Sequence, residues 1–416
     1  MESGRSAVRP SSRQDVDQDE ARGLVLRFLD GDVRADPYPL LNRVREAGPV
    51  WFGSGVVVLS SYAHCEAALR AADAVTPSVA GCPVPAAPSR EGVDRAFSPD
   101  AMTGLVPLVR YLVDDRLDSV AARGRLEAVS DLAHPVPMAV LSHLLGLPSA
   151  DGPWLHRRAM ALSPAQDPRA ALTGTDDPEG LAEHRRAETE LEAYLADALR
   201  DRRNRRHRSD SDDLLSRLLH TEGRGKHLTD AETASVGRIL LGSGYATTAA
   251  LVSGGILALL RAPHELEVLR RDPGHARRLV EETLRLDPPL QVLQRRAGAD
   301  LDLYGTRVPQ GTVMVLMLAA AHRDPALRSS PDVFAPDGTS GHLAFGTGPH
   351  RCLGAPLARL IAETVLARFA QRVHGARFAL GSPAYHSHAT LRGLRALWVD
   401  ADGFGTRDLP WHPGPA

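Results

Sequence analysis

One cysteine in this chain has neighbours that would make it chemically useful. The segment Phe345-Gly-Thr-Gly-Pro-His-Arg-Cys-Leu-Gly354 places Cys352 at the head of a helix predicted over 353–372. A helix N-terminus presents free N–H groups and the positive end of its dipole, and both stabilise a thiolate. Glycines at 346, 348 and 354 let the backbone come close to something flat or bulky. Pro356 fits the first helical turn. A thiolate prepared this way is a nucleophile or a metal ligand. The tyrosine-phosphatase loop needs an arginine six positions after its cysteine; here position 358 is alanine and the arginine follows at 359. A zinc site needs a second ligand at motif spacing, and none is present. Axial thiolate ligation of haem, which favours O–O cleavage, is the option that remains. Cys65 and Cys82 lack such a setting and read as inert thiols.

The elements around the cysteine are mostly helical. Residues 36–46 read as a helix with proline at its start, 51–52 and 56–59 as a hairpin, and 61–71 as a helix. Residues 73–90, rich in Pro, Ala and Gly, read as an irregular loop. Helical patterns dominate 98–219, with breaks at Pro135, Pro148 and 166–180. Thr229-Asp-Ala-Glu232 is a capping box, and a long uncharged helix follows it to about Arg261. Helices over 263–271 and 274–286 end at Pro288-Pro289, and short strands occupy 291–318. Residues 324–350 are irregular, and short strands return after the final helix. The fold class is mainly α, with one large helical domain and small β-sheets. Residues 1–28 form a polar arm and 29–416 the domain.

Composition removes several classes of function. Net charge is −2 over 416 residues, which calls for no nucleic acid and no anionic membrane. Lys226 is the sole lysine, in a polar stretch, so a Schiff-base or pyridoxal enzyme is excluded and a phosphate-binding P-loop cannot be completed. Three cysteines give no disulfide framework, and the polar N-terminus has no apolar leader; both point to the cytoplasm. Residues 239–260 carry no charge and are long enough to span a bilayer, yet their glycines and mid-chain position suit a buried core helix.

The cysteine segment resembles the haem-binding signature of the cytochrome P-450 superfamily, Phe-x-x-Gly-x-x-x-Cys-x-Gly preceded by His-Leu-Ala-Phe. His342-Leu-Ala-Phe345 and Cys352-Leu-Gly-Ala-Pro-Leu-Ala-Arg359 are similar to soluble bacterial members. Glu282-Thr-Leu-Arg285 matches the family's Glu-x-x-Arg pair, a carboxylate and guanidinium one turn apart. Further likeness at 36–39, 95–99, 321–325 and 331–334 extends the resemblance from about residue 30 to 400. It implies a cytochrome P-450 fold and a haem b whose iron takes Cys352 as axial ligand. Phe345, Gly346 and Gly354 would surround the thiolate, His350 and Arg295 would bind the haem propionates, and Arg90, matching the arginine of the C-helix His-x-x-x-Arg motif, would also bind the cofactor. Ser243-Gly-Tyr-Ala-Thr-Thr248 matches the oxygen-binding stretch, so Gly244 would open a groove and Thr247 would hydrogen-bond dioxygen and help deliver protons. Leu240, Ser243, Val292, Leu293, His388 and Thr390 would line the substrate pocket. Glu282 and Arg285 would be structural. Arg351, Arg359 and Arg368 would form a docking patch for an acidic electron donor.

The chain departs from the pattern in three places. Ala246 stands where an acid usually precedes the threonine, which removes a proton relay. Ala86 replaces a histidine ahead of Arg90, and the loop around it is short. No meander arginine is evident, with Val333 and Gly338 where one is common. His386 and His388 are weak metal ligands by spacing and stand as substrate contacts. The resemblance implies a monooxygenase acting on a small organic, natural-product substrate, free or carrier-tethered. With no flavin or nicotinamide fingerprint, its electrons would come from a ferredoxin and ferredoxin reductase. Ala246 motivates an alternative, oxidative coupling or rearrangement without oxygen insertion. A third possibility, a non-catalytic binding or auxiliary protein, is opposed by the intact Cys352.

Overall fold

The capping box at Thr229 starts the longest helix of the molecule. In the computed structural model, Glu232 accepts from the Thr229 N–H at 2.8 Å, and Thr229 Oγ1 accepts from the Glu232 N–H at 3.2 Å. The central helix they begin runs through Asp230–Arg261, 32 residues. The structure describes residues 18–407 apart from 54, 72–74, 78–96, 163–166, 176, 205–212, 221–228, 339–340, 380 and 382. Among them this helix alone is long and apolar enough to cross a membrane, but 72% of its apolar stretch is buried in the protein. It is the core of the fold.

Helices Gly152–Leu162, Pro178–Asn204 and Ala355–Arg372 pack around it. Leu191, Leu195 and Leu199 sit at four-residue spacing on the second of these and are fully buried. Each such burial contributes about 1.5–3 kcal/mol. Small residues let the neighbours come close: a Cβ on Gly242 would lie 2.9 Å from Leu162, and one on Gly255 would lie 2.8 Å from Leu366. The C-terminal helix Ala355–Arg372 is also held to the helix Pro99–Ala121 by charge. Arg368 and Arg372 both reach Asp114 Oδ1, at 2.8 and 3.0 Å.

A five-stranded sheet flanks the helices in the order Val50–Phe52, Val56–Leu59, Val313–Leu316, Leu293–Ala297, Val75–Pro77. The hairpin of the first two strands is as the sequence predicts. Val56–Leu59 runs parallel to Val313–Leu316, and the other pairs are antiparallel. The pairing of Leu293–Ala297 fixes the direction of Arg295.

Three boundaries differ from the sequence reading. Residues 18–28, assigned to the polar arm, belong to the helix Gln18–Leu29, which buries Ala21, Leu24, Val25 and Phe28 against the sheet side of the core. Its charged residues mask an apolar face at i, i+3, i+4 and i+7. Val75–Pro77, expected as loop, is the edge strand, where a proline is tolerated. The last helix starts at Ala355 rather than 353, with Gly354 as its N-cap.

Candidate active site

The cysteine loop is closed by its own backbone. The Cys352 N–H donates to the Phe345 carbonyl at 2.9 Å. Gly348 has φ +72°, and a Cβ there would press on the Leu69 carbonyl at 2.9 Å, so the turn admits no side chain. Arg359 lies over the Phe345 ring at 4.4 Å and donates to Glu281 at 2.5 and 2.9 Å. Glu281 is also 3.1 Å from His342 Nε2. Burial pushes the Glu281 carboxyl up, but hydrogen bonds from Arg359 and His342 and the charges of both win and hold it at about 2. Behind them the Leu343 N–H donates to His322 Nε2 at 2.8 Å. Burial, with His342 nearby, lowers His322 to about 3, so it stays a neutral acceptor.

The Cys352 thiol itself is exposed at the helix head. Desolvation by the surrounding walls raises its pKa, opposed by the N–H groups of Gly354 and Ala355 and by Arg359 and Arg351. The sequence predicts a stabilised thiolate; in the protein alone desolvation prevails, and a coordinated metal ion would remove the proton outright.

Arg295 is half-buried, and among the described residues its guanidinium has one hydrogen bond, to the neighbouring Gln294 carbonyl at 2.7 Å. Desolvation lowers its pKa, and among the described residues no carboxylate acts on it. A cation held this way is suited to an incoming anion. His350 ends the short turn Gly348–His350 and is half-buried on the same loop as Cys352. Arg90 lies outside the described residues.

The central helix presents one uncovered face. Ser243 is exposed and Leu240, Gly244 and Thr247 are half-buried, while Tyr245, Ala246 and Thr248–Val252 are sealed. Unlike Gly242 and Gly255, Gly244 has nothing within 4 Å of where its Cβ would stand. The Thr247 hydroxyl donates to the Ser243 carbonyl at 2.8 Å and Thr248 to Gly244 at 2.6 Å, leaving each oxygen's lone pairs to accept.

The remaining expected pocket residues divide. His388 is half-buried. Val292 is fully buried with Ala389, Val315 and Met317, Leu293 is buried against the opposite face of the sheet, and Thr390 is sealed. Val292, Leu293 and Thr390 are thus buried side chains in this structure; Leu293 pairs with Leu316 in the sheet, and Val292 and Thr390 lie outside its strands. His386 and His388 stack at 6.4 Å, and no group of three His, Cys, Asp or Glu among the described residues suits a metal. Arg359 and Arg368 are tied to Glu281 and Asp114, so of the three expected docking arginines only Arg351 is exposed.

The Glu282–Arg285 pair is bidentate at 2.7 and 2.8 Å and fully buried. Arg285 also donates to the carbonyls of Pro331 and Val333. A residue that the sequence reading missed completes the network: Arg328 stands 3.3 Å from Glu282. It lies in the proline-rich stretch read as irregular, without a local signal. Tyr245, His134 and His156 were also missed; a tyrosine inside an apolar helix needs a polar partner, and that was the available clue.

A flat, anionic, iron-bearing ring suits these residues. The structure offers an exposed thiol with two N–H groups turned to it, a half-buried arginine without a carboxylate among the described residues, and a helix face left bare at Gly244.

Comparisons with known proteins agree with this chemistry. Residues 275–374 match the family model described as Cytochrome P450. The chain is 32% identical to cytochrome P450 monooxygenase PikC of Streptomyces venezuelae, over 90% of this chain and 93% of that one. Among solved structures it resembles ligand-free CYP164A2 of Mycobacterium smegmatis, with TM-score 0.84 and 37% identity over 91% of this chain and 100% of that one. It also resembles P450BioI, crystallised with an acyl carrier protein bearing hexadec-9Z-enoic acid, with TM-score 0.80 and 29% identity over 89% and 99% of the two chains.

Proposed function

The chain belongs to the cytochrome P450 family, monooxygenases whose haem iron rests on an axial cysteine, and from that premise we propose that Cys352 is this cysteine and that the substrate is a small organic molecule. The observation that carries the reading is the exposed Cys352 thiol with the N–H groups of Gly354 and Ala355 directed at it. Haem, taken here as haem b, supplies the activation of dioxygen when bound. This chain's residues do the rest. Gly346 and Gly348 shape the loop, Phe345 and Arg359 brace it, and Arg295 with His350 pairs the propionates. Leu240, Ser243 and Gly244, on the bare face of the central helix, would line the space for substrate, and His388 would contact it. Thr247 holds a hydroxyl at that surface, anchored to the Ser243 carbonyl.

Electrons come from a redox partner, which we take to be a ferredoxin with its reductase; the exposed Arg351 beside the thiol supports an acidic donor. Natural-product oxidation is supported by the likeness to PikC, and a carrier-tethered substrate by the likeness to P450BioI in its carrier complex. The absence of a disulfide framework supports a cytoplasmic setting. We read the chain from Gln18 onward as one catalytic domain, with the helix Gln18–Leu29 part of its core.

The test is the absorption spectrum of purified protein, reduced under carbon monoxide, beside Cys352→Ala. A strongly red-shifted Soret band that the variant lacks is expected. No haem, or a band typical of histidine or neutral thiol ligation, would overturn the reading. One observation favours a second chemistry, coupling without oxygen insertion: Ala246, sealed in the helix, supplies no acid. Isotopically labelled dioxygen separates the two by whether label enters the product.

A further inference from the structure

Tyr245 and two histidines form a hydrogen-bonded chain inside the protein. The tyrosine precedes Ala246 and is fully buried. Its hydroxyl oxygen is 2.8 Å from His134 Nδ1 and 2.5 Å from His156 Nδ1. The two imidazoles meet edge to face at 4.8 Å. A phenol carries one proton. Between two ring nitrogens it must donate to one and accept from the N–H of the other, so the two histidines hold opposite tautomers. Moving every proton one place along this chain carries a proton from one imidazole to the other.

The inner end of the chain meets a cavity. His134, Ala246, Ala250, Ser253 and His386 are among its walls, and it offers about 10 Å³ to the centre of a water, the size of a single molecule. Ala246 contributes only a methyl to this wall. A water there would have two imidazoles and the Ser253 hydroxyl as partners, while that hydroxyl itself donates to the carbonyls of Ala249 and Ala250.

Among the described residues, the titratable groups facing this chain are all basic. His134 faces His156 and His386, His156 faces Arg157, and His386 faces His388 and Arg395. Desolvation, then these neighbours, hold His134 at about 4. The chain is therefore neutral at pH 7 and suited to passing a proton rather than storing one.

We propose that His156, Tyr245 and His134, closed by a water at Ala246, relay protons to the wall of the central helix at Ala246, next in sequence to Thr247, in place of the carboxylate missing at position 246. In one transfer His156 takes a proton from solvent and releases its Nδ1 proton to Tyr245. Tyr245 passes its own to His134 Nδ1, and His134 releases its Nε2 proton to the water; no electron moves. These residues act through the water, so they are positioning residues. The proposal rests on the haem-thiolate reading above.

The test uses the haem-loaded protein, wild type beside Tyr245→Phe and His156→Phe, each first checked for the red-shifted carbon monoxide band. Without turnover, nitrogen-15 NMR of the reduced carbon monoxide form should find one Nδ1–H imidazole in the wild type that Tyr245→Phe lacks. With dioxygen as oxidant and NADPH, a surrogate ferredoxin and its reductase as electron source, so that two solvent protons are consumed per dioxygen, both variants should lose at least about threefold in the rate of dioxygen consumption and most of the solvent isotope effect. Adding Ala246→Glu to Tyr245→Phe should recover both. Unchanged rate and isotope effect in both variants, with the band intact, would overturn the relay and leave the haem-thiolate reading standing. A missing band in the wild type would overturn the reading itself.

Discussion

Arg328 reaches the carboxylate of Glu282, 3.3 Å away, through space that Gly338 leaves open. A Cβ on Gly338 would stand 2.6 Å from the Arg328 guanidinium. A position that in this family often supplies an arginine here supplies emptiness, and the charge arrives from earlier in the chain.

Removing members of this network should cost unequal amounts. Glu282 is wholly buried, so Arg285→Ala strands its charge and should cost about 3–5 kcal/mol or prevent folding. Arg328→Ala leaves the bidentate pair intact and should cost about 1–2 kcal/mol. Urea unfolding of the haem-loaded protein measures both. Equal costs would mean that the bidentate pair is not the keystone.

Arg295 should matter only when haem is present. Arg295→Gln removes a cation that has no carboxylate partner among the described residues. The haem-free protein should keep its stability, while haem should be lost about ten to a hundred times more readily. Transfer of haem to an excess of an apo-globin acceptor gives the rate.

Glu281 gives the cysteine loop an acid limit. Its carboxyl titrates at about 2 in the folded protein, against about 4.3 when unfolded. A lowered carboxyl contributes stability that is present above the unfolded value and is lost as pH falls from there toward the folded one. Up to about 3 kcal/mol should therefore disappear between about pH 4.3 and 2. Glu281→Gln should flatten that part of a stability curve against pH. A curve of unchanged slope would show that the pairing with Arg359 and His342 does not hold the loop.

Two glycines of the central helix should respond oppositely to one added methyl. Gly244→Ala meets open space and should stabilise the helix by about 1 kcal/mol. It should also weaken the spectral shift caused by bulky ligands, because the methyl occupies the bare face. Gly255→Ala drives into Leu366 and should destabilise by about 1–3 kcal/mol, without selective change in ligand shifts. Thermal unfolding and an azole titration of both variants distinguish them.

The features legible in the sequence were those with local causes. The central helix is announced by the reciprocal bonds of Thr229 and Glu232, and the cysteine loop by glycines that its turn requires. Pairings across long stretches of chain were not legible. Nothing near Arg368 indicates that its partner is Asp114, 254 residues earlier, so it read as a surface charge. Val292 read as pocket because its neighbours match pocket positions, and nothing local announces its burial beside Val315 and Met317. The apolar stripe of Gln18–Leu29 was hidden by the charges that share the helix.

The near-contacts at Gly242 and Gly255 bear on how the protein could acquire new substrates. A helix wedged against Leu162 on one neighbour and Leu366 on another can neither rotate nor slide to suit a different molecule. Selection for a new substrate must therefore act on the few bare positions between 240 and 247, or on the segments that cover them. The catalytic floor stays fixed while the ceiling is free to vary.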